Sequence, residues 1–85
     1  MSEEIEIIVK FFAMARQAVG KKKMDMQIDE DTKAGELVDQ VTEEYPELED
    51  IKSSLIISVN KNRVDEEHVL SEGDEVAIMP PVAGG

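Results

Sequence analysis

A chain of 85 residues with 20 acidic and 9 basic side chains makes one small domain, too small to hold both a buried pocket and a full catalytic apparatus. Its net charge of -11 makes nucleic acid and anionic membranes poor partners and favours a basic protein surface. Cysteine is absent, which excludes disulfides, thiol catalysis and thiolate metal sites. The acidic start, Met1-Ser2-Glu3-Glu4, is no signal peptide, and no stretch approaches transmembrane length, so a cytoplasmic protein is expected.

Ile5 to Phe12 (IEIIVKFF) is rich in β-branched and aromatic residues and predicts a strand. Ile5, Ile7, Val9 and Phe11 share one face; Ile8 and Phe12 lie on the other. Ala13 to Gly20 (AMARQAVG) predicts a short helical turn or loop ended by glycine, and Lys21 to Lys23 are expected at a hairpin tip. Met24, Met26 and Ile28 alternate with Asp25, Gln27 and Asp29, the pattern of a half-buried second strand. Thr32, preceded by Glu30 and Asp31, is a suitable N-cap. From Lys33 to Tyr45 the apolar residues Ala34, Leu37, Val38, Val41 and Tyr45 recur at helical spacing until Pro46 ends the run. Glu47 to Ser54 (ELEDIKSS) reads as a polar connector with room for one helical turn. Leu55 to Asn60 (LIISVN) predicts a third strand, and Lys61-Asn62 a turn into Arg63-Val64. Ser71-Glu72-Gly73-Asp74 predicts a tight turn, and Glu75 to Met79 (EVAIM) a last strand, stopped by Pro80-Pro81, which lack ladder donors.

One long amphipathic helix cannot cover a sheet from both sides. The expected architecture is therefore α+β, a mixed sheet with a single main helix packed on one face. Residues 1–79 form the domain, and residues 80–85 a C-terminal tail.

That tail, PPVAGG, is the part of the sequence that speaks to chemistry. At average usage of roughly 5% proline and 7% glycine, two prolines and a closing Gly-Gly arise by chance on the order of once in a hundred thousand, so the pattern calls for an explanation. The prolines would lead the chain out of the sheet in a fixed direction, and the glycines would leave its end slim. Together with the amphipathic helix and Gly73-Asp74-Glu75-Val76, the terminal Pro80-Pro81-Val82-Ala83-Gly84-Gly85 resembles the β-grasp, ubiquitin-like sulfur carriers of the MoaD and ThiS type. The likeness is greatest to the small subunits of molybdopterin synthase. Phe11-Phe12-Ala13, Ala15-Arg16, Gly20 and Val59-Asn60 also match. Lys61-Asn62 stands where the family often has glycine, and Met79 where phenylalanine is common.

The resemblance implies a chemistry for Gly85. An adenylating, E1-like enzyme would use ATP to couple the carboxylate to AMP, and sulfur would then replace AMP to give a thiocarboxylate. The large subunit of molybdopterin synthase would accept that sulfur for molybdenum cofactor synthesis. Gly84 and Gly85 would thread a narrow channel in which a Cβ collides with the walls. No cofactor is expected to be bound, and no independent active site. The alternatives are a ubiquitin-like modifier that joins Gly85 to target-protein lysines, or a carrier serving another pathway, thiamin synthesis or tRNA thiolation. A plain binding module would have no need of a free Gly-Gly end.

The remaining chemical candidates are weaker. His68 is the only histidine, in a polar loop without a nucleophile and carboxylate to complete a catalytic arrangement. The methionines suit cores or contacts. Asp29-Glu30-Asp31 and Asp65-Glu66-Glu67 read as solvated turns that lack calcium-loop spacing, so no metal site is expected. If Ile7, Val9, Phe11, Ile57, Val59, Val76 and Ile78 face the core, then Ile8, Phe12, Ile56, Ala77 and Met79 face outward. Apolar residues gathered on an exposed sheet face suggest a partner surface. Phe12, Arg16, Met79 and the tail residues Pro80, Pro81, Val82 and Ala83 are the candidate partner-binding residues.

Overall fold

Strict alternation governs the first strand, β1 (Glu4–Phe11), in the computed structural model, which describes residues 3–80. Ile7, Val9 and Phe11 are buried on one face while Ile8 and Lys10 stay half-exposed on the other. The chain then enters α1 (Ala13–Val19), which Gly20 closes at φ +83 by donating its N–H to the Arg16 carbonyl at 2.8 Å. β2 (Lys23–Asp29) returns antiparallel to β1, pairing Lys10 with Lys23 and Glu4 with Asp29. Because α1 intervenes, the three lysines make no hairpin tip: Lys23 begins β2, and Lys22 lends its carbonyl to the Phe11 N–H at 2.9 Å.

The main helix, α2 (Ala34–Glu44), buries Ala34, Leu37, Val38, Val41 and Thr42 and leaves its acids in solvent. Its N-cap is Lys33 rather than Thr32. Thr32 is engaged elsewhere: its Oγ1 donates to the Asp29 carbonyl at 2.6 Å, and its own carbonyl accepts the Leu70 N–H at 2.9 Å. Glu36 instead accepts the Lys33 N–H at 2.8 Å, half of a capping box. The next two helical N–H groups, of Ala34 and Gly35, donate to the carbonyls of His68 and Glu66 at 2.8 and 3.0 Å. The acidic loop at Asp65–Glu67 is thereby strapped across the start of the helix.

The connector that reads as polar contains two short 3-10 turns, Pro46–Asp50 and Lys52–Ser54, and fully buries Leu48. β3 (Ile56–Val59) and β4 (Asn62–Val64) form a hairpin whose tip is Asn60-Lys61, at φ +51 and +73, one residue earlier than the sequence pattern suggests. Two successive left-handed residues give the turn the twist that strand pairing favours. β5 (Glu75–Met79) follows a turn in which Gly73 takes φ +82.

The strand order is β2-β1-β5-β3-β4, with β1 and β5 parallel and the other neighbours antiparallel. The core lies between this sheet and α2. Phe11, Ile7, Leu37, Leu48 and Ile78 are its largest fully buried side chains, each stabilising the fold by about 1.5–3 kcal/mol relative to exposure. This is the mixed sheet with one main helix that the sequence implies.

Candidate functional site

β5 carries the chain toward the tail. It lies between β1 and β3, with Val76 and Ile78 fully buried, so its position is fixed from both sides. Met79 and Pro80, at its end, are half-buried. Pro81, Val82, Ala83, Gly84 and Gly85 lie outside the described residues.

The sheet face away from α2 is the one the alternation leaves open. Met79 pairs with Ile56 of β3, and the Phe12 N–H donates to the Ile78 carbonyl at 3.1 Å, which continues the β1–β5 pairing one residue past the strand. Phe12 and Met79 therefore sit beside one another at the end of the sheet from which the tail departs. Phe12 is 46% exposed, a large apolar side chain on the surface of a small chain. The chain turns sharply after it, through Ala13 at φ +52. That conformation costs an alanine about 1–2 kcal/mol, so the surrounding structure holds the bend against local preference.

Small side chains deepen the middle of this face. Ser58 and Ala77 are directly paired across β3 and β5 and floor a shallow concavity, rimmed by Lys10, Phe12, Lys61, Glu75 and Met79. Lys10 Nζ lies 3.0 Å from Glu75 Oε1, an ion pair between β1 and β5 with both side chains about one-third exposed. Sequence reasoning missed this pair, because it depends on the parallel register that sets Ile8 opposite Glu75 and Lys10 opposite Ala77. Arg16 is exposed on α1 and does not line the concavity. Met14, on the same helix, is 57% exposed.

The arrangement suits docking. Among the described residues Ser58 is the one hydroxyl lining the concavity, and His68 lies elsewhere, in the loop at the start of α2, where its backbone carbonyl serves the helix. Met24 and Met26 pack against the core from β2, and Met79 belongs to the open face.

Comparison with known proteins places this geometry in a family context. The model of the ThiS family matches residues 9–85. The chain is 35% identical, over 95% of its length and 99% of the other's, to a molybdopterin synthase sulfur carrier subunit from Mycobacterium tuberculosis. It is 33% identical to small archaeal modifier protein 3 from Haloferax volcanii, covering 95% of this chain and 100% of that one. The solution structure of small archaeal modifier protein 1 from Methanosarcina acetivorans superposes with a TM-score of 0.79 at 29% identity, over 98% of this chain and 99% of that one.

Proposed function

The chain belongs to the ThiS family, and from that premise we propose that it carries sulfur on the carboxylate of Gly85 for the synthesis of molybdopterin. One structural observation supports this reading above the others. A strand locked into the middle of the sheet delivers Met79 and Pro80 beside an open apolar face, so a partner that covers the face also receives the residues that follow.

The chemistry divides between this chain and its partners. The Gly85 carboxylate attacks the α-phosphate of ATP within an adenylating enzyme, forming an acyl adenylate and releasing pyrophosphate. Hydrosulfide, as the sulfur donor, then attacks the acyl carbon; the acyl–AMP bond breaks, AMP leaves, and loss of the S–H proton gives the thiocarboxylate. The thiocarboxylate sulfur next attacks the acceptor carbon in the synthase large subunit and displaces an oxygen leaving group from it; water then cleaves the resulting thioester, which leaves the sulfur on the acceptor and returns the carboxylate. Phe12, Met79 and the floor at Ser58 and Ala77 form the docking surface for both partners in turn; Arg16, exposed on α1 outside the concavity, is available as a separate charged contact. Pro80, Pro81, Val82 and Ala83 lead Gly84 and Gly85 into each partner's active site.

A second reading rests on the kinship with archaeal modifiers: the same adenylate can be attacked by a lysine amine to give an isopeptide. The two readings part at one measurement. Intact mass of protein isolated from its own cells should show one oxygen replaced by sulfur, and deletion of Gly85 should abolish cofactor synthesis in a deficient strain. Restoration by the Gly85-deleted chain ends the carrier reading. Lysine-linked adducts without a thiocarboxylate favour the modifier.

A further inference from the structure

α2 is an 11-residue helix lying on a sheet five strands wide, so it leaves the far edge of that sheet uncovered. Between the first half of α2, the Lys52–Ser54 turn and β4 lies a trough of about 1060 Å³, roughly three times the concavity on the open face at about 330 Å³. Val38, Leu55, Ile57 and Val64 make its apolar floor, and Leu55 and Val64 are only half-buried. Val64 pairs with the buried Ile57, which places the trough on the helix side of the sheet, opposite the open face.

One border of the trough is a strand edge. β4 is last in the strand order, and Val59 and Asn62 close the two-residue turn. Antiparallel pairs alternate in hydrogen bonding, so the N–H and C=O of Arg63 point away from β3. The rim is acidic, with six carboxylates against three cations. Two of those cations are neutralised locally: Lys33 Nζ lies 2.8 Å from Glu67 Oε2, and Lys52 Nζ 2.6 Å from Asp39 Oδ1. Glu36, Glu49, Asp65 and Glu66 have no ion-pair partner among the described residues, and Arg63 is the one cation of the described rim outside the two ion pairs.

We propose that this trough docks an extended, basic segment of another protein. The segment adds to the β4 edge and seats an aliphatic side chain between Leu55 and Val64. It sets lysine or arginine side chains against Glu36, Glu49, Asp65 and Glu66. Charge decides the occupant. An acidic segment, or a second copy of a chain carrying -11, would meet like charge along the rim. The site leaves the open sheet face free and does not depend on the sulfur-carrier reading.

The test uses the full 85-residue chain and a fluorescein-labelled heptapeptide of alternating lysine and valine, with its glutamate–valine counterpart as control. Anisotropy should show saturable binding of the lysine peptide alone, with amide shifts confined to residues 33–39, 49–57 and 63–67. Glu49→Lys/Glu66→Lys should weaken binding by about ten-fold or more. Glu4→Lys/Asp25→Lys, an equal change of charge on the opposite side of the sheet, should bind as the parent does. The proposal is overturned if binding does not saturate, if shifts spread over the whole acidic surface, or if both double variants lose equally.

Discussion

Asn60 Nδ2 donates to Asp74 Oδ1 at 3.0 Å, which ties the β3–β4 turn to the start of β5. The same carboxamide accepts the Glu75 N–H at 3.0 Å, and Asp74 Oδ2 accepts the Ser71 N–H at 2.8 Å. Asn60 also occupies a left-handed conformation, which asparagine tolerates better than most residues. Asn60→Ala should therefore lose both hydrogen bonds and acquire strain, lowering stability by about 1.5–3 kcal/mol. Asn60→Gly loses the same bonds without the strain and should be milder. Urea denaturation of the two variants checks the order; an alanine variant as stable as the glycine variant would remove strain from the account.

Gly35 lies in the first turn of α2, where helix propensity alone would favour alanine by about 1 kcal/mol. The structure predicts the opposite sign. A Cβ at Gly35 would stand 2.9 Å from Glu66 Cβ and 3.3 Å from the Glu66 carbonyl oxygen, so the loop must move. Moving it lengthens the hydrogen bonds from Ala34 and Gly35 to His68 and Glu66. Gly35→Ala should destabilise the protein, with faster hydrogen exchange at residue 34. A rise in melting temperature would show that the loop yields without cost.

The two strand faces were legible in the sequence because alternation assigns each residue a side: Ile7, Val9 and Phe11 went in, and Phe12 and Met79 came out. α2 was legible from its spacing. What failed depended on partners distant in sequence. Thr32 reads as a cap, yet its backbone carbonyl is occupied by Leu70 and its hydroxyl closes the preceding turn. Leu48 sits among acids and reads as connector, but a 3-10 turn aims it into the core. Lys10 and Glu75 are 65 positions apart, and only the parallel register makes them neighbours. The reading of the tail's end rests on composition and resemblance alone, since Gly84 and Gly85 lie outside the described residues.

The open face yields a prediction that separates docking from folding. Phe12 is nearly half-exposed and Met79 half-buried, so Phe12→Glu should leave the melting temperature almost unchanged, and Met79→Glu should lower it modestly. Each should weaken binding to the adenylating enzyme and to the synthase large subunit by roughly 2 kcal/mol or more, as the loss of a central apolar contact does. Calorimetric titration beside thermal unfolding makes the comparison. Unfolding of Phe12→Glu, or unaltered affinity for both partners, would show that the docking surface lies elsewhere.

The purified chain should leave ATP untouched. Its one glycine followed by lysines, Gly20-Lys21-Lys22-Lys23, runs in the wrong structural order to hold phosphate. A phosphate-binding loop joins a strand to the start of a helix, where backbone N–H groups converge on the anion. Here Gly20 ends α1, and the lysines lead into β2. Lys21 Nζ instead lies 6.0 Å from the centre of the Tyr45 ring, at the limit of a cation–π contact. On the proposed reading, binding and activation of ATP fall to a partner, with Gly85 as its substrate. A pyrophosphate assay should read nothing with the chain and ATP alone. With a cognate adenylating enzyme added, it should read pyrophosphate in proportion to the chain supplied, and Gly85→Ala should depress that yield. Turnover of ATP by the chain alone would move the activation chemistry into this domain and sink the reading of Gly85 as a substrate.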